Sequence, residues 1–397
     1  MFQEIFKHTK FATGLSAGLW LTACVSIDLE TGFLSNEDIN RQILDQTEEA
    51  FPELDPLYIS DEIKRLVDDN LNSRSSDRVK VNKLQEHLYD EEYLHIQYSD
   101  VRTHTAMEAF QTREGNCLSV MNLYIAMARY AGVDAEFQTV NVQPSWDRRG
   151  SLLVLSQHIN ATGRLSVNSY YVVDFTPEIA LQKLTSRSIT DQEARALYFN
   201  NLGAEALIAE RIDDALVYFK NALFLNPTLS IAWNNIGTTY KHQGNTAFAE
   251  YSYQMAFNTD NTNATSINNL AKFYRGTGNA RLAREYEIAI QRFNNLNPYY
   301  HYAQGAVAMR NRDYESARKS FRRALLLKEV EPDFHIGLAR AHVALGNTRE
   351  AEKLRDSAEK LLAENQQIYQ PSDQKVRIIN NDSILRNSSP GISILLN

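Results

Sequence analysis

Small residues recur with a 34-residue period through the second half of the chain. They form three series: Ala215, Ala249, Ala283, Ala317 and Ala351; Gly203, Gly237, Ala271, Gly305 and Ala339; and Ala222, Ala256, Ile290, Ala324 and Ala358. Large apolar residues recur between them, as in Phe219, Tyr253 and Phe321. Small residues at fixed positions let helices approach closely, and each repeat buries its apolar face against the next. The pattern predicts five stacked helix pairs between about Ala196 and Leu362.

The chain between about Phe51 and Leu184 has a different pattern. Its early part has apolar residues at helical spacing, including Ile59, Ile63 and Val67, which predicts a short helical lead-in. An apolar run then extends from Cys117 to Tyr130, between Gly115-Asn116 and Gly132, and predicts a helix with Cys117 in its first turn. Stretches 135–142, 151–161 and 167–175 are rich in β-branched and aromatic residues and predict three strands. We therefore expect an α+β domain followed by an all-α solenoid.

Three residues of this region have the chemistry of a nucleophilic site. Cys117 at a helix start lies at the positive end of the helix dipole, which favours the reactive thiolate. A hairpin turning near Leu165 and Ser166 would place His158 beside Asp174, since both lie eight residues from the turn. The imidazole could then take the thiol proton while the carboxylate orients the ring. A lone cysteine or strand histidine more often has only a packing role, so the hypothesis depends on the three residues together.

This segment resembles the transglutaminase-like branch of the papain-type superfamily. The resemblance rests on Gly115-Asn116-Cys117 with the apolar helix after it, on His158, and on the run Val173-Asp174-Phe175-Thr176-Pro177. It implies a cysteine peptidase, an amidase or an acyl-transferring crosslinker, although some members have lost activity. Cys117 would be the nucleophile, His158 the general base and acid, and Asp174 its orienting group. Gln111 is the candidate side-chain donor to the oxyanion. One departure is Ile159-Asn160, where many relatives carry a tryptophan.

The helical half resembles the tetratricopeptide repeat (TPR). The motif is nearly complete in the second unit, in Trp233, Ile236-Gly237, Tyr240, Ala249, Tyr253 and Ala256. The first helices of such stacks line a concave groove, which could cradle a protein or peptide partner. The candidate peptide-binding residues are the amides of Asn200, Asn234 and Asn268 and the cations of Lys241, Lys272 and Arg275. An equally open alternative is that one asparagine of each pair (Asn200-Asn201, Asn234-Asn235, Asn268-Asn269) packs between repeats and the cations are solvated.

The N-terminus has the pattern of a secretory signal. Lys7 and Lys10 precede an apolar stretch at 11–23 that is too short to span a bilayer. The stretch ends in Leu21-Thr22-Ala23-Cys24, which resembles the lipobox of bacterial lipoproteins. The resemblance implies cleavage before Cys24 and acylation of the new N-terminus, and Val25 favours the outer membrane, at its periplasmic face. The alternative is an ordinary apolar N-terminus with a chance cysteine. If Cys24 is lipidated, Cys117 has no disulfide partner.

Composition limits the partners and the domain plan. The net charge is −8, without a dense run of Lys and Arg, so we expect no nucleic acid. The histidines are scattered, so we expect no metal or other cofactor. The predicted organisation is a signal peptide at 1–23, a linker at 25–50, the transglutaminase-like domain at 51–190, the repeats at 194–368 and a disordered tail at 370–397.

Two functions from different classes fit this organisation. The first is a membrane-anchored envelope cysteine enzyme that acts on an amide or acyl bond of a protein or peptide, by hydrolysis or acyl transfer, while the repeats bind substrate or partner. A peptidoglycan-peptide amidase would share this chemistry. The second is a non-catalytic assembly lipoprotein that binds partner proteins through its repeats. The shape and dryness of the groove would decide between water and an amine as acceptor.

Overall fold

The computed structural model describes residues 33, 35–45, 48–99, 101–149, 152–167, 169–174, 186–261, 263–368 and 376–380. The predicted signal peptide, Cys24 and most of the C-terminal tail lie outside these residues. The predicted fold class is confirmed: a small α+β domain precedes a series of helix pairs. Among the described helices, none is long and apolar enough to cross a membrane.

The N-terminal domain packs one buried helix against an antiparallel sheet. Its helices are α1 (Glu37–Leu44), α2 (Asp61–Asn70), α3 (Asp77–Tyr89), α4 (Ala106–Thr112) and α5 (Cys117–Tyr130). The strands β1 (Gln97–Tyr98) and β2 (Glu114–Gly115) form a short parallel pair. The main sheet contains β3 (Glu136–Arg149), β4 (Leu152–Ser166), β5 (Ser169–Val173), β6 (Ser186–Ile189) and β7 (Val376–Asn380), in the order β6-β3-β4-β5-β7. Every residue of α5 from Leu118 to Ala128 is buried, which explains its nearly continuous apolar run.

Ten helices form the solenoid in the described part of the chain. They are α6 (Asp191–Ile208), α7 (Ile212–Leu225), α8 (Ser230–His242), α9 (Thr246–Thr259), α10 (Ala264–Gly276), α11 (Ala280–Leu296), α12 (Pro298–Arg310), α13 (Tyr314–Leu327), α14 (Pro332–Ala344) and α15 (Thr348–Ile368). The 34-residue series interlock between the helices of a pair. A Cβ added to Gly203 would lie 2.5 Å from the ring of Phe219, and one added to Gly237 would lie 2.7 Å from the ring of Tyr253. Glycine therefore recurs where an aromatic ring from the next helix needs the space.

The segment predicted as a linker at 25–50 is in part a folded element. Helix α1 packs against α9, and Ile43 is completely buried. The Tyr251 hydroxyl donates to the carbonyl of Asn36 (3.0 Å), and the Tyr240 hydroxyl donates to that of Ile43 (3.3 Å). The linker prediction is thus wrong for α1, because the apolar side of this helix is covered by repeats about 200 residues later in the chain.

The predicted disordered tail contains a strand. Strand β7 pairs antiparallel with β5, and Val376 lies opposite Val173. This corrects the expectation for 376–380, because a short polar-flanked segment gains its strand partner only from the distant first domain. The rest of the predicted tail lies outside the described residues.

The two domains share one hydrophobic core. A continuous cluster of buried side chains extends from Ile43 in α1 to Ala289 in α11. A separate cluster surrounds Phe321 in the later repeats. Arg129 at the end of α5 also makes two hydrogen bonds, of 2.6 and 2.9 Å, with the carboxylate of Asp191 at the start of α6. The first repeat helix is therefore attached directly to the helix that carries Cys117.

Candidate active site

Cys117 is the first residue of α5, at a firmly capped helix start. The Asn116 side chain caps the helix, since its Oδ1 accepts from the amide of Ser119 (3.0 Å). Gly115 lies just before the cap, and a Cβ there would be 2.6 Å from the Cβ of Ser119. Cys117 itself is partly exposed, and its backbone N–H belongs to the first turn, where helical amides have no intrahelical acceptor. The site thus offers an accessible sulfur and a backbone N–H that could donate a hydrogen bond to an oxyanion.

His158 contacts both other members of the predicted triad. Its Nε2 lies 2.8 Å from Oδ2 of Asp174, and both side chains are almost completely buried. Burial lowers the pKa of His158, but hydrogen bonds with Asp174 and Cys117, and the charges of these groups, outweigh it and raise the pKa to about 9. At neutral pH the ring is therefore an imidazolium that lies between the Asp174 carboxylate and the Cys117 sulfur.

The strand register differs from the predicted one. In the β4–β5 hairpin Ala161 pairs with Val173, so position 160, not 158, faces position 174. His158 and Asn160 are two residues apart and lie on the same side of β4, because side chains alternate along a strand. His158 therefore reaches Asp174 diagonally rather than from the directly opposite position.

Two further residues of the site were missed in the sequence. Asn160, fully buried, donates through Nδ2 to the same Asp174 oxygen that contacts His158 (3.3 Å). Tyr89 of α3 lies close to the site: burial first, and then the charges of Asp174 and Cys117, raise the pKa of its hydroxyl well above the ordinary value. The period-2 spacing from His158 could have indicated Asn160, whereas no local signal indicates Tyr89.

Gln111 lies in the last turn of α4 and is exposed. It belongs to the helix that ends just before β2 and Cys117, but the described contacts do not link it to the sulfur. Its role as oxyanion donor stays a prediction. Within the described ranges, no group of three histidine, cysteine, aspartate or glutamate side chains is arranged to hold a metal ion.

The groove asparagines bond to one another across successive repeats. Asn235 Nδ2 donates to Asn200 Oδ1 (3.0 Å), and Asn269 Nδ2 donates to Asn234 Oδ1 (2.9 Å). Both acceptor residues are buried. These contacts favour the packing interpretation for Asn200 and Asn234. Asn268, half-buried, has no side-chain hydrogen bond among the described contacts.

The three predicted groove cations differ in whether an anionic side chain lies beside them. The Arg275 guanidinium pairs with the carboxylate of Glu287 in the next helix. Arg275, predicted to face a ligand, therefore already has an anionic partner and is not simply available to one. Lys241 and Lys272 are exposed, and the described part of the chain contains no ion pair for either.

The asparagine contacts give a first prediction. Asn269→Ala should lower the free energy of unfolding by about 1 kcal/mol, because it removes the donor to a buried acceptor on Asn234. Urea unfolding followed by circular dichroism measures the change. Asn268→Ala, at the neighbouring position, is the matched control and should have a smaller effect. Equal effects of the two substitutions would contradict the packing role.

Comparison with protein families gives a match to the first domain. A family model described as the transglutaminase-like superfamily matches residues 65–174, from α2 through Cys117 and His158 to Asp174. The chain carries a transglutaminase-like domain. A comparison with curated proteins gave no match.

Three solved structures that are similar to this chain each cover less than half of it. A MamA protein structure has 17% identity and a TM-score of 0.24, and covers 43% of this chain and 93% of its own. PilF of Pseudomonas aeruginosa has 16% identity and a TM-score of 0.26, with coverages of 47% and 89%. YrrB, described as a TPR protein with an unusual peptide-binding site, has 15% identity and a TM-score of 0.24, with coverages of 42% and 87%. In this chain helix pairs follow the transglutaminase-like domain, and one of these three neighbours is described as a TPR protein.

Proposed function

We propose that this protein is a thiol enzyme that attacks an amide or acyl bond of a protein or peptide. The observation that carries the proposal is the position of His158, which hydrogen-bonds to Asp174 and interacts with Cys117 at the start of a capped helix. A buried imidazolium held by a carboxylate next to an accessible sulfur is the arrangement that activates a cysteine nucleophile.

The reaction follows from the charges of these groups. The Cys117 thiolate attacks the carbonyl carbon, a C–S bond forms, and the carbonyl oxygen becomes an oxyanion near the Cys117 backbone N–H. His158 gives its proton to the leaving amine as the C–N bond breaks, which leaves a thioester on Cys117. A water or an amine then attacks the thioester, His158 takes its proton, and the thiolate leaves. Asp174 keeps the ring oriented throughout.

The repeats and the N-terminus complete the proposal. The exposed Lys241 and Lys272 could receive a carboxylate of a protein or peptide partner. Lipid on Cys24 would anchor the protein to the bacterial envelope, at the periplasmic face of the outer membrane. Phe33, nine residues after Cys24, packs against Tyr251 with ring centroids 5.5 Å apart. An extended connection of that length reaches about 30 Å, so the repeats would lie close to the membrane.

An activated ester tests the chemistry without knowledge of the natural substrate. Incubation with p-nitrophenyl acetate should release p-nitrophenolate in a burst and leave one acetyl thioester on Cys117, detectable by mass spectrometry of the intact chain and its peptides. Cys117→Ser should lose the burst and the Cys117 thioester while it keeps the native circular dichroism spectrum.

The opposite result identifies the competing function. A native chain that forms no adduct on Cys117, and forms one only after denaturation, would contradict the enzyme proposal. The protein would then be better explained as a non-catalytic assembly lipoprotein that uses its transglutaminase-like domain and repeats for binding.

A further inference from the structure

The first repeat helix is attached to both ends of the helix that carries Cys117. At the C-terminal end of α5, Arg129 pairs with Asp191 at the start of α6. At the N-terminal end, a carboxylate near the end of α6, that of Glu205, reaches the loop that precedes the active site. The two helices therefore run in opposite directions. Helix α6 is linked to α5 directly at Arg129 and, at the other end, through Thr103.

The attachment at the active-site end is a series of short hydrogen bonds. The backbone N–H of Thr103 donates to Oε1 of Glu205 (2.7 Å). The hydroxyl of Thr103 accepts from Nδ2 of Asn116 (2.7 Å). The other end of the Asn116 amide, Oδ1, accepts from the Ser119 amide and so caps α5. Thr103 is only 1% exposed, so water cannot easily replace these partners.

We propose that Glu205, a residue of the first repeat, is a positioning residue for Cys117. The Asn116 side chain donates to Thr103 through Nδ2 and accepts from the first turn of α5 through Oδ1. The orientation of the cap therefore depends on the position of Thr103. Glu205 fixes that position through the Thr103 backbone. Loss of the carboxylate leaves a buried N–H without this acceptor, allows the loop to shift and weakens the cap on the turn that begins with Cys117.

The inference rests on the proposed function for its consequence in catalysis, and it extends that function to the repeats. A repeat domain that only recruits a partner would not contribute to the reactivity of the cysteine. Here the first repeat helix is hydrogen-bonded to the loop that holds the helix cap at Cys117. A movement of α6 would therefore change the geometry at Cys117.

The test compares Glu205→Ala with Glu205→Gln in the full chain. The alanine variant should show about 5-fold slower alkylation of Cys117 by iodoacetamide at pH 7, because the weakened cap holds the turn that begins with Cys117 less well. The glutamine variant should stay within about twofold of the wild type, because its amide oxygen can still accept from Thr103. Glu352→Ala, at an exposed position of α15, is the matched control and should be unchanged.

A second measurement separates positioning from a general loss of stability. Hydrogen exchange of the peptide containing Ser119 should become faster in Glu205→Ala, and peptides from α13 should not change. The Thr103→Val substitution removes the hydroxyl that holds Asn116, and its effect should not add to that of Glu205→Ala, because both break the same series of bonds.

Failure of the positioning role and failure of the enzyme proposal give different results. If neither alkylation nor Ser119 exchange responds to Glu205→Ala, the positioning role is overturned. If Cys117 of the wild type is as slow as an ordinary thiol while Ser119 exchange still responds, the enzyme proposal fails and the link between Glu205 and the helix cap stands.

Discussion

His158→Gln should slow the alkylation of Cys117 by iodoacetamide at pH 6.5 by a factor on the order of 50. An unassisted thiol, with an ordinary pKa of about 8.5, is only about 1% thiolate at that pH, whereas an adjacent imidazolium favours thiolate. Glutamine is chosen because its amide can still donate to Asp174, so the buried carboxylate keeps a partner. Alanine would leave that carboxylate buried and unpaired, and instability would then obscure the result.

Rate constants are obtained from the mass of the intact chain over time, with Cys117→Ser as the blank. His335→Gln is a suitable control, since His335 is also buried but lies in α14, within the repeats. Its rate should equal that of the wild type. If His158→Gln reacted as fast as the wild type at pH 6.5, the imidazolium would have no part in activating the sulfur, and the proposed mechanism would be wrong.

Local sequence signals predicted the elements of the active site better than their pairing. The capping asparagine and the glycine before it define the start of α5, so Cys117 could be placed from the sequence. The register of the β4–β5 hairpin could not, because no strong turn signal in the sequence marks where the two strands reverse. His158 reaches Asp174 despite this error, since a shift by two residues keeps a side chain on the same face of the strand.

Contacts between distant parts of the chain account for what the sequence did not predict. Helix α1 is short, and its burial depends on Tyr251 and Tyr240 of the second repeat. Strand β7 depends on β5, and Tyr89 comes to the site only through the packing of α3. Such positions have no periodic signal of their own, in contrast to the repeats, in which each unit shows the same pattern as its neighbour.

The asparagine pairs show a different limit of prediction from sequence. Amides that recur at one corner of successive repeats can bind an extended peptide or bond to one another, and the sequence pattern is the same in both cases. The hydrogen bonds from Asn235 to Asn200 and from Asn269 to Asn234 favour the second role for these residues. The proposed binding of a partner through the repeats would then depend on other groups. Of the predicted ones, the half-buried Asn268 and the exposed Lys241 and Lys272 remain.

The stability of the protein should fall as the pH rises from about 6.5 to about 9. The pKa of His158 is about 9 in the folded protein, whereas an unfolded histidine has a pKa of about 6.5. The folded state therefore holds this proton more tightly, so the stabilisation is fully present below pH 6.5 and is lost as the pH passes through 9. At 1.36 kcal/mol per pKa unit, the loss amounts to about 3 kcal/mol.

Urea unfolding at intervals between pH 6 and pH 9.5 measures this loss, and the comparison with His158→Gln isolates it. Glutamine does not titrate, so the variant should lose less stability over the same range, by up to about 3 kcal/mol, while ionisable groups outside the site contribute equally to both proteins. The difference should also be largest at low pH, where the imidazolium is paired with Asp174. Parallel stability curves for the two proteins would show that His158 does not hold its proton in the folded state, and the charge arrangement proposed for Cys117 would have to be abandoned.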